Sequence, residues 1–235
     1  MATVLAGLQE GLRLLLSGDP YLWDIILRTG QVTGAALVVG SLLGIPLGAL
    51  LGLTRFPGRR LVQTLIYTGM GLPPVLAGLA IYLLLSRNGI LGPLDLPWIP
   101  KLFTPEAMVL AQVLIATPLI AGFTMAAVAG VDPDLRRQVE ALGATRLQVA
   151  WAVLREARLG VLVSLVAGLG SILSEVGAVM LVGGNIEGST RVLTTAILLE
   201  TRRGNFDLAI GLGVVLLGLS FLVNLGATQL QGKGR

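Results

Sequence analysis

Cysteine and histidine, on which many catalytic and metal sites depend, do not occur in this sequence. Their absence excludes disulfides, thiolate nucleophiles, Cys/His metal sites and imidazole acid–base catalysis. The sequence also has no G-x-x-x-x-G-K-[ST] loop, the usual cradle for the phosphates of a nucleotide. Its long apolar stretches hold one ionisable residue, Glu175. A single buried acid is not the constellation of an active site, so a function without covalent chemistry is favoured.

The overall composition indicates the solvent in which these residues lie. Hydrophobic residues make up 54% of the 235 residues, charged residues make up 13%, and the mean hydropathy is +0.85. A soluble domain is similarly apolar but carries about 25% charged residues. The shortage of charge therefore predicts a chain that is solvated by a lipid bilayer.

Five apolar stretches are long enough to cross a bilayer, which takes about 20 residues. These stretches are Gln31–Leu53, Leu61–Leu85, Ala107–Val131, Leu159–Val182 and Leu208–Leu230. Residues 1–28 predict an amphipathic surface helix followed by a turn at Gly18-Asp19-Pro20. The predicted fold is all-α and polytopic. It forms one domain over residues 1–235, because no repeat, linker or low-complexity segment divides the chain.

A shorter apolar run, Val192–Leu199, follows a predicted turn at Gly183-Gly184-Asn185. The run is too short to cross a bilayer, so it predicts a short re-entrant or surface helix on the outer side.

Basic residues are unevenly shared between the two sides of the predicted membrane. The loops 54–60 and 132–158 and the C-terminus hold ten basic and four acidic residues, whereas the other side holds seven basic and eight acidic residues. The side richer in arginine and lysine is expected to be cytoplasmic. The N-terminus is therefore predicted outside and the C-terminus inside. The pI of about 10.1 has the same explanation and does not require nucleic acid as a partner.

Glycine and proline mark special positions in the first two spans. Four glycines recur at every fourth position of the first span, which predicts close packing against a neighbouring helix; they are Gly40, Gly44, Gly48 and Gly52. Pro73 and Pro74 stand at the middle of the second span, and proline breaks helices. Such breaks in transporters often line the substrate path. A path-lining role and a simple kink both remain open.

The longest predicted cytoplasmic loop, 132–158, has a helix–turn–helix pattern. Asp132-Pro133 predicts a helix start, and Gly143 predicts its end just after Leu142. A second helix is predicted to begin near Thr145 and to continue into the fourth span. By periodicity alone, the pattern favours an amphipathic pair that lies on the membrane surface.

The run Leu142-Gly143-Ala144-Thr145, placed before the penultimate span, resembles the EAA loop of ABC importer permeases. In that family this short coupling helix docks into a groove of the ATP-binding subunit. The family's Glu-Ala-Ala would fall on Arg137-Gln138-Val139, whereas Glu140-Ala141 lies closer to the glycine. The resemblance implies an ATPase-coupling loop with the residues Asp132, Pro133, Leu135, Arg137, Val139, Glu140, Ala141, Leu142 and Gly143.

Three further blocks resemble tungstate-type ABC permeases. These blocks are Gly71-Leu72-Pro73-Pro74-Val75, Ser174-Glu175-Val176-Gly177-Ala178 and Thr190-Arg191-Val192-Leu193-Thr194-Thr195-Ala196-Ile197. Their order and spacing cover most of residues 31–230. The resemblance implies import of a small oxyanion, with tungstate favoured and molybdate, sulfate or another small solute as alternatives.

The spans contain no lysine or arginine, which suits an anion path that must release its substrate. The expected path residues are Pro73, Pro74, Ser171, Ser174, Glu175, Thr190, Arg191 and Thr194. Arg191 could attract the anion, although an interfacial anchor is favoured. An acid at the bilayer centre costs about 2.5–3.5 kcal/mol. A structural pair or subunit contact is therefore favoured for Glu175, ahead of a path role in which its carboxylate would repel an oxyanion.

The resemblance also implies the partners. They are a second copy of this chain, two copies of an ATP-binding ABC subunit and an extracytoplasmic oxyanion-binding protein. No cofactor or metal is expected in this chain, since ATP and Mg²⁺ would bind to the partner subunit, and membrane lipid surrounds the spans.

Two other classes of protein compete with this interpretation. A secondary transporter or channel would be expected to carry intramembrane ionisable residues or an inverted repeat. A membrane enzyme would need a catalytic constellation that this sequence lacks.

Overall fold

The computed structural model describes residues 7, 9, 11, 13, 16–94 and 96–232, and that part of the chain contains helices and no β-strand. The helices are α1 (Pro20–Leu53), α2 (Arg59–Met70), α3 (Pro74–Leu85), α4 (Pro105–Ala129), α5 (Pro133–Ala141), α6 (Arg146–Glu156), α7 (Arg158–Leu173), α8 (Gly177–Gly183), α9 (Leu193–Arg203) and α10 (Phe206–Gly232). One 3₁₀ turn, Gly92–Leu94, lies between α3 and α4. The all-α prediction is confirmed for the described residues.

Three of these helices, α1, α4 and α10, are each long and apolar enough to cross a membrane. The pairs α2–α3 and α6–α7 are also long and apolar enough when each pair is taken as one broken span. The described residues therefore contain up to five candidate spans. The structure therefore supports three to five spans, a range that includes the predicted five.

The chain N-terminal to α1 agrees with the predicted turn. Gly18 has a φ of +64°, and a carboxylate oxygen of Asp19 accepts a hydrogen bond from the amide of Leu22 at 3.0 Å, which caps the helix start. Of the predicted N-terminal amphipathic helix, residues 1–6, 8, 10, 12, 14 and 15 lie outside the described residues. The same holds for the basic residues Lys233 and Arg235.

The prediction of one continuous fourth helix is wrong in two places. α6 and α7 are separated at Ala157 and are bent by 73°, because Val153 and Ala157 are buried in a cluster with Val128 while Gly160 lies against Ala127. The second break, at residues 174–176, separates α7 from α8. Periodicity did not reveal either break.

The chain divides into two compact units. The first unit comprises Met1–Ala36, Pro73–Gln112 and Ile172–Gly226, and the second comprises Leu37–Leu72, Val113–Ser171 and Ala227–Arg235. The core of the first unit joins α1, α9 and α10 through Leu22, Ile25, Leu193, Ala196, Leu212 and Val215. The second unit has two clusters, one of Leu51, Ile66, Ala121 and Met125, and one of Val128, Val149, Val153 and Ala157. The single-domain prediction stays a prediction.

The glycine stripe of α1 packs against α4 within the second unit, as predicted. A Cβ on Gly44 would lie 2.9 Å from the Cβ of Ile120, and a Cβ on Gly52 would lie 2.7 Å from a methyl carbon of Val128. A Cβ on Gly48 would overlap the carbonyl oxygen of Ala121. Only hydrogen fits at these positions, so the two backbones come close together.

Candidate functional site

The two prolines of the second predicted span begin a new helix. α2 ends at Gly71, whose amide donates to the carbonyls of Tyr67 and Thr68 at 3.3 and 3.2 Å. Pro73 precedes α3 with extended backbone, and Pro74 is its first residue, where the missing amide hydrogen costs nothing. The pair therefore separates two short helices, which goes beyond a simple kink.

Two of the sequence blocks singled out above meet within the first unit. α3 packs against α8 through glycines: a Cβ on Gly78 would lie 2.5 Å from the Cα of Ala178, and a Cβ on Gly177 would lie 2.7 Å from a methyl carbon of Val75. The start of α3 and the start of α8 are thereby held together.

The side chain of Glu175 bonds to the first turn of α8. Its carboxylate is buried and accepts a hydrogen bond from the amide of Ala178 at 2.8 Å. An acidic group at a helix N-terminus satisfies a free amide and is favoured by the helix dipole. The backbone carbonyl of Glu175 accepts a hydrogen bond from the hydroxyl of Thr194 at 2.9 Å, which joins α9 to this turn. This hydrogen bond lies at the break between α7 and α8.

Thr190 stabilises the loop between α8 and α9. Its hydroxyl donates to the carbonyl of Gly183 and accepts a hydrogen bond from the amide of Ile186 at 2.9 Å. Gly184 and Asn185 have φ values of +70° and +55°, so the predicted turn is confirmed. The hydroxyl of Thr190 is thus engaged within its own loop.

Arg191 is buried and joins this loop to α1. One guanidinium nitrogen donates to Glu187 at 2.8 Å and to the hydroxyl of Tyr21 at 3.1 Å, and the guanidinium lies 5.8 Å from the centre of the Tyr21 ring. Arg28 makes a second link by donating to the carbonyl of Ser189 at 2.9 Å. The positive charge of Arg191 is therefore opposed by a carboxylate of the same chain.

α9 is fixed at both ends by side chains that sequence reasoning missed. At its start, the amide of Leu193 donates to the hydroxyl of Thr29 at 3.0 Å. At its end, the buried carboxylate of Glu200 accepts hydrogen bonds from Arg203 at 2.9 Å and Asn205 at 2.7 Å. The Thr29 contact joins residues 164 positions apart, which no sequence pattern indicates, whereas the Glu200 contacts are local.

The path residues predicted from sequence fall into both units. Pro73, Pro74, Ser174, Glu175, Thr190, Arg191 and Thr194 belong to the first unit, and Ser171 belongs to the second. The contacts above engage the side chains of Glu175, Thr190, Arg191 and Thr194 in holding α8, α9 and the loop between them. Their role in a path stays a prediction.

The loop 132–158 has the predicted caps. The side chain of Asp132 accepts a hydrogen bond from the amide of Asp134 at 2.9 Å, and Pro133 is the first residue of α5. Gly143 has a φ of +81° and lies between the two helices. Thr145 then begins α6 with a reciprocal capping box to Gln148. The helix–turn–helix prediction is confirmed for this segment.

Leu135, Val139 and Leu142 fall at helical spacing (i, i+4 and i+7) and are therefore expected on one face of α5, but they do not form one surface. Val139 packs against the cluster of Val128, Val149, Val153 and Ala157, whereas Leu142 lies just beyond the end of α5 and is 88% exposed. The reason is that the chain turns at Gly143, so Leu142 leaves the helical stripe. The side chain of Leu142 is available for a partner, and that of Val139 is largely occupied by the chain itself.

α5 is also tied to the end of α1 within the second unit. Arg136 donates to the carbonyl of Leu53 at 2.6 Å and forms an ion pair with Glu140 at 3.0 Å. Arg137 pairs with Asp134 at 2.9 Å and is well exposed. Among the described residues, no group of three or more His, Cys, Asp and Glu side chains could hold a metal ion.

These features are those of a membrane transport subunit, and comparison with known proteins identifies the family. Residues 44–233 match the family described as binding-protein-dependent transport system inner membrane component. Because the match covers most of the chain, this protein belongs to that family. Members of this family are subunits of ABC importers in the inner membrane, are not themselves catalytic, and work with an ATP-binding subunit and a substrate-binding protein.

Similar proteins include permeases named for anions. The chain is 44% identical over 213 residues to a probable anion ABC transporter permease protein of Haloferax volcanii, which covers 88% of this chain and 90% of that protein. It is 37% identical over 231 residues to the tungstate uptake system permease protein TupB of Peptoclostridium acidaminophilum. This match covers 98% of this chain and 99% of that protein. The chain is 29% identical to the molybdenum transport system permease protein ModB of Escherichia coli K12, covering 77% and 82%.

Solved structures support the same fold. A chain of a bacterial alginate ABC transporter has a TM-score of 0.73 at 24% identity, covering 95% of this chain and 85% of that chain. A chain of the MetNI methionine ABC transporter, in an inward-facing conformation, has a TM-score of 0.72 at 21% identity, covering 92% and 99%. The ABC importer permease fold is therefore shown.

Proposed function

We propose that this chain is the membrane-spanning subunit of an ABC importer that moves a small oxyanion, tungstate as the first candidate, into the cytoplasm. The similarity to TupB over nearly the whole of both chains carries this proposal. Molybdate and sulfate remain the competing substrates, because permeases named for molybdenum and sulfate are similar at 29% identity.

The proposed topology has five spans, with the N-terminus outside and the C-terminus in the cytoplasm. The spans are α1, the broken pair α2–α3, α4, the stretch Leu159–Val182 formed by α7 and α8, and α10. α9 would be a short re-entrant or outer helix, since its eleven residues are too few to cross a bilayer.

The loop 132–158 is proposed to couple this chain to the ATP-binding subunit. α5 has nine residues, which is short for a stable helix in water, so packing must hold it in place. Val139 supplies such packing from within the chain, and Arg136 ties α5 to the end of α1. The exposed Leu142 beside the Gly143 turn is then the apolar side chain that α5 offers to the ATP-binding subunit.

The proposed path passes the start of α3 and the turn before α8. Both positions are breaks between helices: Pro73 and Pro74 begin α3, and residues 174–176 separate α7 from α8. Hydroxyls and backbone amides bind an oxyanion more weakly than lysine or arginine would, which favours release. The importer would contain two copies of this chain and two ATP-binding subunits, with ATP and Mg²⁺ bound by the latter.

The substrate is tested by titration calorimetry on the cognate binding protein. We expect tungstate to bind more tightly than molybdate and sulfate. A second measurement follows uptake of the three anions by the complete importer in proteoliposomes. Tighter binding and faster uptake of molybdate or sulfate would overturn the tungstate assignment and leave the ABC importer class intact.

A further inference from the structure

α6 presents apolar side chains on two opposite faces. Residues two positions apart on a helix point about 200° apart. Val149 and Val153 are buried against Val128, whereas Trp151, between them in sequence, is 63% exposed. The inner face is therefore buried by the chain itself, whereas the apolar outer face has no contact that buries it within the described residues.

The outer face combines an aromatic ring with a positive charge. Arg155 lies one turn after Trp151, and its guanidinium is 5.3 Å from the centre of the Trp151 ring. Arg155 is exposed and forms no ion pair within the described part of the chain. A guanidinium keeps its N–H donors in one plane in a geometry that suits the oxygens of a phosphate.

The connection to α7 places this pair at the edge of the membrane. One residue, Ala157, separates α6 from the apolar helix α7, and the bend between the two helices is 73°. Trp151 lies seven residues before Arg158, which is about 10 Å along a helix. If α7 enters the bilayer at Arg158, α6 runs along the membrane surface. Tryptophan is enriched at that depth, and helices with basic and aromatic residues lie in that plane.

We propose that Trp151 and Arg155 form a lipid-anchoring site that binds the phosphate headgroup of an anionic phospholipid in the cytoplasmic leaflet. The site fixes α6 at the membrane surface and thereby sets the direction in which the Gly143 turn projects. This inference rests on the proposed function, from which the cytoplasmic placement of the loop is taken. The ATP-binding subunit is the competing occupant of this face. In this proposal it binds the tip of the loop instead, where Leu142 and Leu147 are 88% and 81% exposed.

Tryptophan fluorescence with brominated phospholipids tests this site. The chain has three tryptophans, and replacing Trp23 and Trp98 by phenylalanine leaves Trp151 as the only one. Both replaced side chains are exposed, so the folded core is not altered. In nanodiscs, we expect brominated lipid to quench Trp151 both in the permease alone and in its complex with the ATP-binding subunit.

Headgroup selectivity is measured as the ratio of quenching by brominated phosphatidylglycerol to quenching by brominated phosphatidylcholine. We expect about a fivefold preference for the anionic lipid, the effect of one basic side chain at an anionic surface. Arg155→Gln should remove the preference. Arg146→Gln removes the same charge nine residues earlier on α6 and should keep the preference.

Two results would overturn the site. Absence of quenching in the complex would show that Trp151 faces the ATP-binding subunit or water. An equal preference in Arg155→Gln and the parent protein would show that this guanidinium does not bind the headgroup. Because quenching is measured without ATP or substrate, a failed uptake assay would count against the proposed function and leave this measurement unaffected.

Discussion

Replacing Gly143 by valine tests whether the backbone conformation of this turn directs the loop 132–158. Gly143 has a φ of +81°, and a Cβ at this position would meet no atom within 4 Å. Valine therefore creates no clash, and its effect comes from the backbone conformation alone. An L-residue in the left-handed region costs about 1–2 kcal/mol, and a β-branched residue is disfavoured most. That cost lowers the ratio of the native turn to its alternatives by about 5- to 30-fold.

The assay compares tungstate uptake with ATP hydrolysis in the same reconstituted importer. If the turn directs the loop into the ATP-binding subunit, uptake should fall, by at most about 5- to 30-fold, while hydrolysis continues. Insertion into the membrane should be unchanged, because Gly143 lies outside the apolar helices. The expected result is an importer that hydrolyses ATP with little transport.

Gly58 provides a matched control. It has a φ of +85°, a Cβ added to it would also meet no atom within 4 Å, and it precedes α2 in the other predicted cytoplasmic loop. Gly58→Val therefore carries the same backbone cost without altering the loop 132–158. Normal coupling in Gly58→Val alongside uncoupling in Gly143→Val supports the account. Wild-type uptake and hydrolysis in Gly143→Val, or equal uncoupling in both variants, would refute the reasoning.

Three further predictions address topology, the helix break and helix packing. A reporter that is active only in the periplasm should be silent when fused after Arg235, and an active fusion would contradict the five-span topology. Replacing both Pro73 and Pro74 by alanine should slow uptake while the complex still assembles; unchanged uptake would remove the pair from the proposed path. Gly48→Ala should destabilise the protein by about 1–3 kcal/mol through overpacking. A Cβ on Gly34 of the same helix would meet no atom within 4 Å, so Gly34→Ala should be tolerated. Thermal unfolding of the purified protein measures both effects.

Features that depend on local backbone chemistry were predictable from the sequence. The spacing of Gly44, Gly48 and Gly52 predicted the close packing of α1, because a four-residue repeat of hydrogen-sized side chains has few other uses in an apolar helix. Asp132 and Gly143 predicted the ends of α5, since capping and left-handed backbone are properties of single residue types.

Features that depend on distant partners were not predictable. Thr29 accepts a hydrogen bond from the amide of Leu193, which lies 164 positions further along the chain. The pair or subunit contact favoured for Glu175 stays a prediction. The bend at Ala157 arises where α6 and α7 each pack against α4, and the helical periodicity continues through it. The link of Arg191 to Tyr21 joins segments 170 positions apart that no sequence pattern connects.

The central claim is that this chain forms the membrane path of an ATP-driven oxyanion importer. Its most direct test is uptake of tungstate into proteoliposomes that contain this chain, its ATP-binding subunit and the tungstate-loaded binding protein. We expect uptake that requires ATP and the binding protein and that stops with vanadate. Uptake that proceeds equally without ATP, driven by an ion gradient or by the tungstate gradient alone, would contradict it.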